Sequence, residues 1–152
     1  MPDHELDPVD ALTQLSFLLH GTLERRAAEH GLSIVQTRLL GILRDRRPTM
    51  NQLARLLSLD KSSVTGLVGR AERRNLVARR PSPDDGRSVL VELTAAGRSL
   101  VAEVSRDYEA DVAAIVERLP ARDRDTLARL AGRAVVGYAE ERGVDLFATS
   151  EP

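Results

Sequence analysis

The chain has no cysteine, no tryptophan, one lysine and four aromatic residues. Without cysteine there is no disulfide, no thiolate zinc site, no thiol nucleophile and no cysteine redox sensor. Four aromatics scattered over 152 residues are too few for the stacking platform that single-stranded nucleic acid requires. The three histidines, His4, His20 and His30, do not cluster, and none stands in an HExxH pattern. No P-loop, GxSxG or GxGxxG motif is present. The acid pairs Asp84-Asp85 and Glu140-Glu141 fall on a turn and a helix end, where solvated surface explains them. Neither catalysis nor a metal or cofactor is therefore expected. No apolar run approaches the length of a membrane span. The acidic opening MPDHELDPVD also lacks the apolar core of a signal peptide, so the expected location is the cytoplasm.

What remains is an ordinary globular composition, 42% apolar and 30% charged, of one-domain length. The net charge of −1 hides an asymmetry. From Arg44 to Arg87 there are 11 Lys and Arg against 5 Asp and Glu; elsewhere there are 11 against 18. A basic middle between acidic flanks suits a module that meets polyanionic nucleic acid on a solvated scaffold.

Period and punctuation give six helices and a hairpin. The first helix runs from Pro8 to His30 on a stripe of Leu12, Leu15, Leu19, Leu23 and Ala27, and Gly31 stops it. Ser33 caps the second, with Val35, Leu39, Ile42 and Leu43 inward. Thr49 and Gln52 form a capping box for a short third helix. Asp60 caps the fourth, with Leu59 and Val64 placed as a hydrophobic staple. Two short capped helices a few residues apart are the sequence form of a helix-turn-helix. Val77–Arg80 and Val89–Leu93 read as strands around turn chemistry at Pro81–Gly86, where Asp85-Gly86 is the hairpin signal. Thr94 caps a long fifth helix striped by Val101, Val104, Tyr108, Val112, Ile115 and Leu119. After Pro120 a sixth helix, from about Asp123 to Gly143, carries Leu127, Leu130, Val135 and Tyr138, and Val144, Leu146 and Phe147 leave an apolar tail. The expected fold is mainly α with a small β-hairpin wing: a winged helix-turn-helix.

At 100° per residue, Val64, Leu67, Val68 and Ala71 of the fourth helix share one direction and face a core. Ser62, Gly66, Gly69 and Arg73 fall opposite, flanked by Ser63, Thr65 and Arg70, with no acid on that side. Short side chains let such a helix enter a major groove about 12 Å wide. Ser62, Ser63 and Thr65 are candidates for phosphate or base-edge hydrogen bonds, and Arg70 and Arg73 for charge and guanine readout. Lys61 sits in the first turn, where backbone N–H groups can hold a phosphate. Two outward glycines cost a helix about 1 kcal/mol each, which an idle surface does not explain. On the hairpin, Arg79, Arg80 and Arg87 are candidates for a second contact, Arg87 in a minor groove. Asp85 reads as the intrachain partner that orients Arg87.

These residues resemble the MarR family of winged-helix regulators. The likeness lies in Gln36 to Leu43, in Asn51-Gln52-Leu53-Ala54, in Ser62-Ser63-Val64-Thr65-x-Leu67-Val68 and in Leu76-Val77. Asp85-x-Arg87, followed after five residues by Leu93-Thr94, completes it. The resemblance implies a homodimer built from a first helix in residues 1–32 and last helices in 95–152, intertwined as one domain around the winged helix-turn-helix of 33–94. It implies a pseudo-palindromic duplex operator, with Ser62, Ser63, Thr65 and Arg70 in the major groove and Arg87 in the minor groove. It also implies repression of a neighbouring gene, relieved by a small aromatic acid. Two positions depart from the pattern: Gly66 replaces a common arginine, and Gly69 an acid or amide.

For an effector, Phe17 and His20 on the first helix and Arg38 on the second would suit an aromatic carboxylate between apolar walls. His20 equally suits a packed or dimer-interface position. The competing class is a winged-helix dimer that contacts proteins and not DNA, which Gly66 and Gly69 favour and the basic hairpin opposes.

Overall fold

Helix caps written into the sequence divide the chain. In a computed structural model, which describes residues 6–141, six helices and one hairpin follow in order. They are α1 (Pro8–Glu29), α2 (Ile34–Asp45), α3 (Met50–Leu57), α4 (Lys61–Arg73), β1 (Val77–Pro81), β2 (Val89–Leu93), α5 (Ala95–Val116) and α6 (Ala121–Glu141). Asp7 caps α1 by accepting from the N–H groups of Val9 and Asp10, and Pro8 stands where a missing N–H costs nothing. Ser33 with Gln36 and Thr49 with Gln52 form reciprocal capping boxes at α2 and α3. Asp60 caps α4 through the Ser63 N–H. Each cap satisfies donors that the helix itself leaves open.

The ends of α1, α3 and α4 share one device. Gly31, Ser58 and Asn75 are the residues with positive φ among those described, at 65°, 54° and 55°. Each is followed by a leucine whose N–H reaches back five residues: Leu32 to Ala27, Leu59 to Ala54, Leu76 to Ala71. This 6→1 bond is the signature of a Schellman ending. It turns each leucine onto the core, with Leu32 and Leu76 buried and Leu59 packed against the cluster.

The core gathers Leu39, Leu40 and Leu43 of α2, Leu53 and Leu57 of α3, Val64, Leu67, Val68 and Ala71 of α4, and Val77, Val91 and Leu93 of the hairpin. Strands β1 and β2 are antiparallel, with Val77 opposite Leu93 and Pro81 opposite Val89. A further piece of sheet was not read from the sequence. Thr49 bridges to Leu90, and the Val91 N–H donates to the Pro48 carbonyl, tying the start of α3 to the hairpin. At the other end of β2, the Thr94 hydroxyl donates to the Asn75 carbonyl at 2.6 Å and accepts from the Gly97 N–H at 3.0 Å. Gly97 is buried so closely on the Leu76 carbonyl that a Cβ there would overlap it.

The chain divides into two units, Met1–Tyr108 and Glu109–Pro152, with the boundary inside α5. Three sequence expectations shift. Leu12, read as an inward stripe position of α1, is 60% exposed. Helix α5 closes at Val116, before Leu119, because Pro120 forces a turn ahead of itself. Helix α6 starts two residues earlier than Asp123, at Ala121. His4, Gly143, Val144, Leu146 and Phe147 lie outside the described residues.

Candidate nucleic-acid interface

Helix α4 has two unlike faces. Val64, Leu67, Val68 and Ala71 are buried to 3% exposure or less. Lys61, Ser62, Ser63, Thr65, Arg70 and Arg73 are exposed on the other side. Gly66 and Gly69 lie between them, and each gives room to an arginine one turn on. A Cβ at Gly66 would meet Nη1 of Arg70 at 3.4 Å, and one at Gly69 would meet Nη1 of Arg73 at 3.6 Å. No hydrogen bond or ion pair among the described residues engages the charged ends of Lys61, Arg70 or Arg73.

The hydroxyls are already committed. Ser62 and Ser63 each donate to the Asp60 carboxylate at 2.6 Å, and Thr65 donates to the Lys61 carbonyl at 2.8 Å. The serine hydroxyls, with the Ser63 N–H, hold the Asp60 carboxyl far below the ordinary carboxylate range. Within this first turn a carboxylate of the chain already accepts from the Ser63 N–H. With their protons engaged, the serines offer acceptor lone pairs to a partner.

On the hairpin, the loop from Ser82 to Ser88 is closed by Ser82 N–H to Ser88 carbonyl and Ser88 N–H to Asp85 carbonyl bonds. Asp85-Gly86 does not make a two-residue turn, since Gly86 is not among the residues with positive φ. Asp85 instead organises the loop with its carboxylate, which accepts from the Ser88 hydroxyl at 2.8 Å and the Arg87 N–H at 3.0 Å. Those bonds lower its pKa, the Ser88 hydroxyl most. Asp85 therefore fixes the backbone of Arg87 and leaves the guanidinium exposed. Arg79 and Arg80 are placed differently from Arg87. Arg79 faces Glu72 of α4 at 3.5 Å, and Arg80 faces Glu92 of β2 at 3.1 Å, with Arg47 on the same carboxylate at 3.6 Å. Arg80 and Glu92 are diagonal neighbours in the β1–β2 register, a signal that a register drawn from the sequence could have supplied.

A cavity of about 270 Å³ opens in the first unit. Leu23, Leu32, Leu40, Val101 and Val104 make it apolar, and Thr37, Arg38, Arg44, Ser105 and Tyr108 add polar groups. Of the three candidate ligand residues only Arg38 lines it, and no intrachain partner among the described residues engages its guanidinium. Phe17, 66% exposed, and His20, also exposed, are not part of the lining. Both lie off the inward stripe of α1 that carries Leu23 and Ala27 to the core. Arg44 and Tyr108 are lining residues that the sequence reading did not select.

The sequence pattern of the MarR family matches residues 30–88. The chain is 40% identical over 93 residues to the transcriptional activatory protein BadR of Rhodopseudomonas palustris, a match covering 57% of this chain and 52% of that protein. It is 32% identical over 102 residues to the HTH-type transcriptional repressor NicR of Pseudomonas putida, covering 62% and 65%. The match thus spans about half of the first relative's length and just under two thirds of the second's. Among solved structures, RV1404 from Mycobacterium tuberculosis superposes with a TM-score of 0.75 at 29% identity, covering 92% of this chain and 95% of that one.

Proposed function

Given that the chain belongs to the MarR family, we propose that it is a duplex-DNA-binding transcriptional regulator that acts as a homodimer and is not an enzyme. The observation that carries this reading is the sidedness of α4. Its apolar residues are all inward, and its outward face holds two glycines and three unpaired cations, with Arg87 free on the wing. Arg47, Arg79 and Arg80 are held in ion pairs, whereas these four on α4 and the wing are available to phosphates and base edges.

The dimer reading draws on apolar surface. In the first unit, Val9, Leu12, Phe17 and Leu18 of α1 are from 49% to 73% exposed. In the second, Leu130, Val135 and Tyr138 of α6 are from 50% to 60% exposed. Large side chains left open in this number on long helices mark surface meant for a partner, here a second copy. Two copies would offer two α4 helices to a two-fold operator whose half-sites lie one turn, about 34–36 Å, or a multiple of it apart.

The finer assignment is repression relieved by an effector. BadR is by name an activator and NicR a repressor; a dimer seated across a promoter represses by exclusion, and that is the role assigned here. The effector is a small apolar anion in the cavity, its acid on Arg38 and its body against Leu23, Leu32 and Val104.

The test is a titration of a labelled fragment from upstream of the gene, between 50 and 200 mM salt. If Lys61, Arg70, Arg73 and Arg87 of each protomer all meet phosphates, log K falls against log salt with a slope of up to about −7. Binding that is absent at low salt, or indifferent to salt, removes the DNA reading and leaves the protein-interaction module.

A further inference from the structure

Arg74 makes a contact that the DNA-facing surface does not use. It stands at the C-cap of α4, next to the exposed Arg73, and reaches back across the chain. Its Nη1 donates to the Gly31 carbonyl at 2.9 Å and its Nη2 to the His30 carbonyl at 3.0 Å. Both oxygens belong to the end of α1. There the Schellman bonds of Gly31 and Leu32 satisfy the carbonyls of Ala28 and Ala27, and Arg74 takes those of His30 and Gly31 beyond. A guanidinium suits this place: its planar fork holds two acceptors at once, and its charge meets the negative end of the helix dipole. An ammonium, a single point of charge, cannot reproduce that fork.

We propose that Arg74 is a positioning residue: it fixes the pose of α4 against the end of α1, and so the direction in which Arg70 and Arg73 are presented. The inference rests on the DNA-binding reading above. The same short segment has two other ties within this unit. Leu32 lines the cavity, and the His30 ring lies 3.9 Å from the Glu103 carboxylate of α5. Arg74 therefore joins α4 to the piece of backbone that a cavity occupant would press upon. Without it, α4 stays packed through Val64, Leu67, Val68 and Ala71, so the fold survives while the angle of its outer half is released.

Arg74→Ala and Arg74→Lys, titrated with the upstream fragment across the same salt range and melted in parallel, test this. Arg74→Ala should bind about tenfold more weakly, because the DNA must then impose the pose of α4 that the two charge-assisted bonds hold in the wild type. Its salt slope should be unchanged, because no phosphate contact is lost; Arg74→Lys should fall between. Wild-type affinity in Arg74→Ala overturns the proposal. So does a slope reduced by about 0.9, which would make Arg74 a direct phosphate contact. Should Arg74→Ala also lower Tm, Arg74→Lys decides: weaker binding at wild-type Tm upholds the role, and wild-type binding overturns it. If the wild type binds no fragment, the DNA reading fails separately. Hydrogen exchange then reports on the tie alone: faster exchange at Gly31 and Leu32 in Arg74→Ala, with Val91 unchanged, is expected, and no change overturns it.

Discussion

Replacing Gly66 and Gly69 by alanine should move stability and DNA affinity in opposite directions. Both glycines sit inside α4, where glycine costs about 1 kcal/mol relative to alanine. Among the described residues, and apart from the helix's own backbone and chain neighbours, a new Cβ would meet Nη1 of Arg70 at 3.4 Å and Nη1 of Arg73 at 3.6 Å, the far ends of flexible side chains. Nothing in the fold resists the methyl group, so each variant should gain close to the full propensity term. The pair together should gain about 2 kcal/mol, or a Tm higher by about 4–8 °C at equal protein concentration. In a groove the same methyls hold the helix backbone off the bases and lift the two guanidiniums from their resting places. Affinity for the upstream fragment should fall at least about tenfold, equivalent to about 1.4 kcal/mol. Thermal melts and anisotropy titrations on one preparation give both numbers. A variant that gains stability and binds as well as the wild type would refute the close-approach account of these glycines. A variant that gains no stability would mean the glycines answer a strain within α4 itself.

Three further outcomes follow from the geometry. Arg87→Ala should weaken DNA binding and flatten its salt dependence while leaving the dimer intact by sedimentation; an unchanged slope would take the wing out of the interface. Gly97→Ala should destabilise the protein by about 1–3 kcal/mol in urea, because the Cβ overlaps the Leu76 carbonyl at a packed junction; a neutral result would mean that α5 can shift away freely. Asp60 has its pKa depressed in the folded state, so its contribution is present above the ordinary carboxylate pKa and is lost as pH falls through the folded value. Asp60→Asn should therefore reduce the loss of stability on acidification below about pH 4; an acid limb identical to the wild type would contradict the cap's role.

What was legible in the sequence was local. Ser33 with Gln36 and Thr49 with Gln52 cap their helices because the partner lies three residues away, and such spacing is visible without a fold. The inward set of α4 follows from the helical period alone. What was hidden depended on residues distant in sequence. Arg79 and Arg80 look like free wing cations until Glu72 and Glu92 are placed beside them. Asp85-Gly86 marks the hairpin, but the sequence does not show that Ser82 and Ser88 close its loop around the Asp85 carboxylate. Phe17 and His20 on the first helix could meet Arg38 of the second, but α1 leaves them exposed, and α5 contributes to the cavity wall instead. Arg74, one of several arginines in a basic run, is told apart only by the carbonyls it reaches.

The most direct measurement is a hydroxyl-radical footprint of the upstream fragment with the purified protein. Two protected backbone patches related by two-fold symmetry, their centres one helical turn or a multiple of it apart, are expected. They should disappear together in a variant carrying Arg70→Ala and Arg73→Ala. A single asymmetric patch, protection that survives that double substitution, or none at all would mean that the outer face of α4 is not what meets the DNA.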